Sequence, residues 1–212
     1  MREPMVRHNA LPPALRVVLH VVPLYSALTA VWAQQPTAPL AVPTQTPLWA
    51  YRLHWYNFRL WHTEDAVRRP GAPDDFIALC KRRIDGWNQQ RHAQIEQLDI
   101  WLWTVLYGAD TGHPGEGELH SETPGNLLDR LSILTLKVHY MGREATRQDA
   151  SETHRHTCGQ HLAVLREQHE DLRGCLGRLC CDLWGRRKRF KIYRQFKMYN
   201  DPSLNPAIYR HR

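Results

Sequence analysis

Asp85, Asn88, His92, Glu96 and Asp99 recur at spacings of 3, 4, 4 and 3, so on a helix they share one face. Asn126, Arg130 and Lys137 share a second face with Asp129 alongside, and Asn57, Trp61, Glu64 and Arg68 line a third, flanked by Asp65. Guanidinium forks match phosphate oxygens, and carboxylates match sugar diols. Lys81, Arg82, Arg91, Arg130 and Lys137, with Asp85, Glu96, Asp99 and Asp129 orienting them, therefore point to an anionic sugar-linked ligand such as a nucleotide sugar or phosphosugar. If chemistry follows binding, Asp85 or Glu96 is the candidate acid or base, because packing among helices can move a carboxylate's pKa. Each stripe alone reads as a solvated face. Three of them on helices that pack together read as a shared polar groove, in which Asn57, Asp85, Asp99, Asn126, Arg130 and Lys137 converge.

Carboxylates and histidines on bundle helices can also hold a di-iron site. The paired Glu-x-x-His that such a site needs is absent, so neither a metal nor a cofactor is expected. No Gly-rich phosphate loop, nucleophile elbow or HExxH motif occurs. His169 reads as a satisfied core histidine, and His154, His156 and His161 read as surface histidines.

The elements that position these residues follow from apolar spacing. Trp49, Leu53, Tyr56 and Leu60 mark a first helix that ends at Pro70-Gly71. A second, capped by Asp74, carries a near-heptad seam of Ile77, Cys80, Ile84, Trp87, Ile95, Leu98, Leu102 and Val105. Arg91 is the polar member of that seam and needs a carboxylate or bound anion beside it. A Gly-rich loop follows from Gly108 to Ser121. Thr123-Pro124 then starts a third helix, with Leu127, Leu131, Leu134, Val138 and Met141 buried. Asp149 or Ser151 opens a fourth, whose 4-3 stripe includes Cys158, Leu162, Leu165, Leu172, Leu176, Leu179 and Leu183. Nothing reads as a strand. The expected fold is all-α, an antiparallel bundle of about four long helices with a basic C-terminal segment.

The chain has 212 residues, with 28 Lys and Arg against 21 Asp and Glu, and five cysteines. Neither disorder nor a collagen-like chain fits that composition, and an odd cysteine count without CxxC excludes a disulfide framework or zinc ribbon. Arg186, Arg187, Lys188, Arg189, Lys191, Arg194 and Lys197 hold seven charges in twelve residues, so the rest of the chain is neutral at 21 against 21. Such a strip suits phosphate-bearing partners or an anionic membrane surface. Phe190, Tyr193 and Phe196 interleave with it in the manner of a nucleic-acid strand binder, although no reading module accompanies them. Tyr193, Phe196 and Tyr199, at 3-spacing with Lys191, Arg194 and Lys197 interleaved, are placed to close over the groove. Cys180 and Cys181 are expected to fill the core.

Residues 1–47 are set outside the folded domain, which is assigned to 48–209. Val17 to Tyr51 holds no Asp, Glu, Lys or Arg, and Val31-Trp32-Ala33 resembles a signal cleavage site. Pro36, Pro39, Pro43 and Pro47 then mark a linker. Reduced cysteines favour the cytoplasm, with membrane association; export with cleavage near residue 33 is the alternative.

Four stretches resemble, in order, a bacterial family of uncharacterised proteins. They are Asn57 through Arg68 with Trp61, Glu64 and Asp65; Lys81-Arg82-Arg83-Ile84-Asp85 through Asn88 and Arg91 to Glu96 and Asp99; Glu122-Thr123-Pro124-Gly125-Asn126-Leu127-Leu128-Asp129-Arg130-Leu131-Ser132-Ile133-Leu134 through Lys137 to Met141; and Tyr193 to Pro202. His92-Ala93 and His139-Tyr140 depart from the family pattern. The resemblance implies genes beside glycosyltransferases of lipopolysaccharide and other surface glycans, hence a part in envelope-sugar assembly with no reaction transferred. The alternative to a ligand site is a non-catalytic adaptor that docks on a glycosyltransferase or a membrane, and nucleic-acid binding ranks below both.

Overall fold

The computed structural model describes residues 11–35, 47–108, 116–193 and 202–210. Among them the chain is all-α, with α1 (Pro13–Trp32), α2 (Leu48–Val67), α3 (Asp74–Tyr107), α4 (Pro124–Ala145), α5 (Glu152–Trp184) and a short α6 (Pro206–Tyr209). A single two-residue parallel pairing joins β1 (Glu118–Leu119) to β2 (Lys188–Arg189).

The helix ends follow local chemistry. The Thr123 hydroxyl accepts the Asn126 N–H at 3.2 Å and Pro124 fills the first turn of α4. Ser151 accepts the His154 N–H at 3.2 Å, so Ser151, not Asp149, opens α5. Asp74 is not a cap: with Asp75 it sits in the first turn of α3, where a negative charge meets the positive end of the helix dipole. Gly108 ends α3 at φ 85, a backbone angle that costs glycine little.

The core joins Ile95, Leu98, Leu102 and Leu106 of α3 to Leu127, Leu128 and Leu131 of α4 and Leu172, Leu176, Leu179 and Leu183 of α5. Leu106 is buried where the seven-residue count placed Val105, which is 48 % exposed. A straight helix turns every 3.6 residues, so successive four-residue steps from Leu98 outrun a strict heptad. All five cysteines are free, and burial pushes the Cys180 thiol up to about 12, consistent with core filling.

Helix α1 lies within the stretch set apart on composition, yet it packs in the bundle. Leu15, Val18, Val22, Tyr25, Thr29 and Trp32 step by 3 and 4 and are all buried. By length and composition this helix is also apolar enough to cross a membrane. Trp32 is 0 % exposed and packs among Tyr51, His54, Trp55 and Phe58 at ring separations of 5.0–5.4 Å.

The start of the basic run fastens the chain end to the bundle. Arg186 donates to the Leu106 carbonyl at 2.6 Å, an acceptor in the last turn of α3, and lies 4.7 Å from the Tyr107 ring centroid. Arg187 and Lys188 meet Asp182 at 2.7 and 4.0 Å, and Arg189 Nε donates to the Gly117 carbonyl at 2.9 Å. Phe190 is fully buried against Trp103 and Tyr107. Four of the seven clustered cations are thus occupied within the fold. Arg194 and Lys197 lie outside the described residues.

Truncating Trp32 removes a large buried side chain that its neighbours cannot replace. Trp32→Ala is expected to cost about 3–5 kcal/mol in urea denaturation.

Candidate functional site

A cavity of about 410 Å³ opens between α3, the first turn of α4 and the segment after β2. α3 contributes Gln89, His92, Ala93, Ile95, Glu96 and Asp99; the α4 start contributes Ser121, Thr123 and Asn126; Lys191, Ile192 and Tyr193 complete the wall. The α3 residues stand at helical 3- and 4-spacing, so one face of the helix supplies a carboxylate, a carboxamide and an imidazole together.

Asp99 anchors this wall. It is 3 % exposed and accepts the Gly125 N–H at 2.8 Å, with Thr123 as a further hydrogen-bond partner. Burial raises its pKa to about 6, because losing water penalises the charged form more than these two hydrogen bonds recover. Gly125 makes the contact possible. A Cβ there would stand 2.8 and 2.9 Å from the Asp99 oxygens and 2.9 Å from the Ile95 carbonyl, so the two helices approach only across a glycine.

A second polar group is sealed between α1, α2, α3 and α4. Thr29 donates to the Tyr25 carbonyl at 2.9 Å, which leaves its oxygen to accept His54 Nε2–H at 2.8 Å. His54 Nδ1 then accepts from the Ser132 hydroxyl at 2.8 Å, whose oxygen accepts from Asn57 at 3.0 Å. Asn57 also donates to Asp129 Oδ1 at 2.9 Å, and Arg91 Nε stands 3.8 Å from the same atom, an ion pair too long for a hydrogen bond. His54 is fully buried and its pKa falls to about 3, so it is neutral. Asp129 is raised, burial outweighing the Arg91 charge and the Asn57 hydrogen bond. The carboxylate that Arg91 requires in the seam is therefore Asp129.

The residues expected to converge divide between these two places and the outer surface. Glu96, Asp99, Asn126 and Tyr193 line the cavity, while Asn57, Arg91 and Asp129 belong to the sealed group. Six residues do not meet in one groove. Asp85 pairs with Lys81 at 2.6 Å on an exposed face, Arg130 with Glu122 at 2.8 Å, and Glu64 with Arg68 at 2.7 Å. Arg82, Asp65 and Lys137 are exposed, and Asn88 is half-buried. Trp61 stacks on Tyr140 at 5.3 Å, away from the cavity lining. Phe196, Lys197 and Tyr199 lie outside the described residues. Of the two acid–base candidates, Glu96 faces the cavity and Asp85 does not. His169 is half-buried with Nε2 3.2 Å from Thr135 Oγ1, as a satisfied histidine would be. His54, Ser132, Gln89 and Ser121 carry no signal in spacing, and His54 lies about 100° around α2 from Leu53 of the apolar stripe.

The two buried groups act on stability in opposite directions. Asp99 keeps its proton up to about 6 in the fold against 3.8 free, so the folded state binds more protons in that window and stability falls as pH rises. His54, lowered from 6.5 to about 3, contributes fully above 6.5 and loses its contribution as pH falls toward 3. Asp99→Asn removes the opposing slope. Chemical denaturation between about pH 4 and 6 is expected to show stability rising more steeply in the variant, by up to ~3 kcal/mol across the window. Gly125→Ala, which forces α3 and α4 apart, is expected to cost about 1–3 kcal/mol at neutral pH.

No curated protein and no solved structure matches the chain. Residues 48–192 match a family model described as "Protein of unknown function (DUF4254)", a span that includes α2 to α5 and the whole cavity lining except Tyr193. With more than half its length inside that match, the chain belongs to the DUF4254 family.

Proposed function

We propose that the cavity binds the sugar portion of a sugar-linked small molecule, with an anionic group of the ligand held at the Lys191 edge. The observation that supports this most is the lining itself. Glu96, Gln89, Asn126, Ser121 and His92 present acceptors and donors side by side within about 410 Å³, a size suited to a small molecule. Vicinal hydroxyls need such paired acceptors and donors, which bulk phosphate does not. Tyr193 is 74 % exposed at the same wall and offers a ring face to a pyranose. Lys191 offers a point charge to phosphate. Arg130 and Lys137 have no part in this reading, since one is paired with Glu122 and the other is exposed beyond the lining. The setting beside surface-glycan glycosyltransferases, implied by the family resemblance, makes an activated envelope sugar the natural ligand class. Glu96 would orient ligand hydroxyls, and it is the side chain placed to exchange a proton with them.

Calorimetric titration with glucose 1-phosphate and UDP-glucose tests the reading. Wild-type protein is expected to bind at least one of them. Asn126→Ala, Glu96→Gln and Lys191→Ala should each weaken that binding at least about tenfold with little change in Tm, a loss of about 1.4 kcal/mol or more. Lys137→Ala, about 16 Å along α4 from Asn126, should leave it unaltered. Protein that binds neither probe and co-purifies instead with a glycosyltransferase would replace this reading with the adaptor one.

A further inference from the structure

From Gly86 to Val105 the exposed residues of α3 are Gly86, Gln89, Gln90, Ala93, Gln97, Ile100, Thr104 and Val105, and none is charged. Over the same stretch Arg91, His92, Glu96 and Asp99 are all buried or half-buried. A solvent-facing helix surface ordinarily carries the charges and hides the neutral residues. Here the arrangement is reversed over about 30 Å. Within this face Gly86, Gln90, Ala93, Gln97, Ile100 and Thr104 step by 4, 3, 4, 3 and 4, the period by which one helix meets another. Ile100 and Val105 are 45 % and 48 % exposed.

We propose that this stripe is an interface for a second copy of the chain, with α3 packing antiparallel on its counterpart about a two-fold axis near Ile95. The charge balance favours this occupant. A chain of net charge +7 repels its own copies, and a face from which every charge has been withdrawn is where that repulsion is least. Size complementarity then sets the direction. In the antiparallel register Gly86 faces Thr104 of the second copy and Ala93 faces Gln97, so a small residue opposes a larger one in four of the six layers, and Gln90 lies against Ile100 in the other two. A parallel register would set Gly86 against Gly86 and Ala93 against Ala93, leaving gaps. In this antiparallel register Gln97 of one copy lies one turn from the Ile100 that Gln90 of the other faces, about 4.5 Å along the axis, so the two amides, each of which both donates and accepts, can pair across the two-fold. Gln89 and Ala93 also line the cavity, which brings the interface to the edge of that site.

Sedimentation of the full chain at micromolar concentration is expected to give a dimer. Gln97→Glu together with Ile100→Glu, both at exposed positions, should return it to monomer with unchanged helical circular dichroism. A wild-type chain that remains monomeric, or a dimer indifferent to both substitutions, overturns the proposal. Register is read separately in a Cys175→Ser background. Gln90→Cys and Ile100→Cys proteins should form a disulfide-linked dimer when mixed and not when either is oxidised alone. Cross-linking of Gln90→Cys to itself would mean parallel pairing and would overturn the antiparallel arrangement.

Discussion

A carboxylate taken out of water must find donors, and this fold is organised around two that do. Asp99 takes the Gly125 N–H at the start of α4, and Asp129 takes the Asn57 amide with Arg91 nearby. Each joins α4 to another helix through a polar contact that has one good geometry, whereas leucine packing tolerates sliding. The tightness at Gly125 is a consequence: the Asp99 contact requires α3 and α4 to close to a distance that any Cβ would block. Burial still dominates both carboxyls, whose pKa values are raised despite the donors. These contacts therefore specify the arrangement of α3, α4 and α2 more than they stabilise it.

The same economy appears at the chain's two ends. α1 closes the bundle with an apolar stripe and adds one directional contact, Thr29 to His54, that continues through Ser132 and Asn57 to Asp129. The segment after α5 closes it from the other side, with Phe190 buried and Arg186 and Arg189 bonded to carbonyls of α3 and the loop before α4. That fastening delivers Lys191 and Tyr193 to the cavity wall. The wall is thus set by a hydrophobic anchor and two charge-assisted hydrogen bonds just upstream of it.

How much of this is legible in sequence follows from which forces are periodic. The four long helices, their starts at Thr123-Pro124 and Ser151, and the buried stripe of α5 all follow from 3.6-residue spacing and cap chemistry. So does the requirement for a carboxylate near Arg91, although not its identity as Asp129. Composition misdirects as to packing at α1, because an uncharged run is set outside the folded domain until its 3-4 stripe is weighed separately. It misdirects again at Arg186 to Arg189, where charge density looks like a free surface and side-chain reach finds internal partners. Asn126 and Arg130 share a helix face, yet one lines a cavity and the other pairs with Glu122 outside it. A shared face limits direction only to a broad sector, and which neighbour fills that sector is decided by tertiary approach.

α3 shows why a stripe of charge is a poor guide to the water side of a helix. Its Arg91, Glu96 and Asp99 are turned toward α4 and the cavity, where Asp129, the α4 N-terminus and polar loop residues receive them. The inward turn leaves glutamine, alanine, glycine and isoleucine outside. The cavity and the neutral outer stripe are thus two consequences of one rotation of α3 about its axis. Turning the helix by a quarter would expose the charges, satisfy ordinary amphipathicity and abolish both features. Asp99 prevents that turn, because its hydrogen bond to Gly125 fixes the rotation as well as the distance. The buried carboxylate therefore determines what α3 shows to the rest of the molecule and what it shows to the outside.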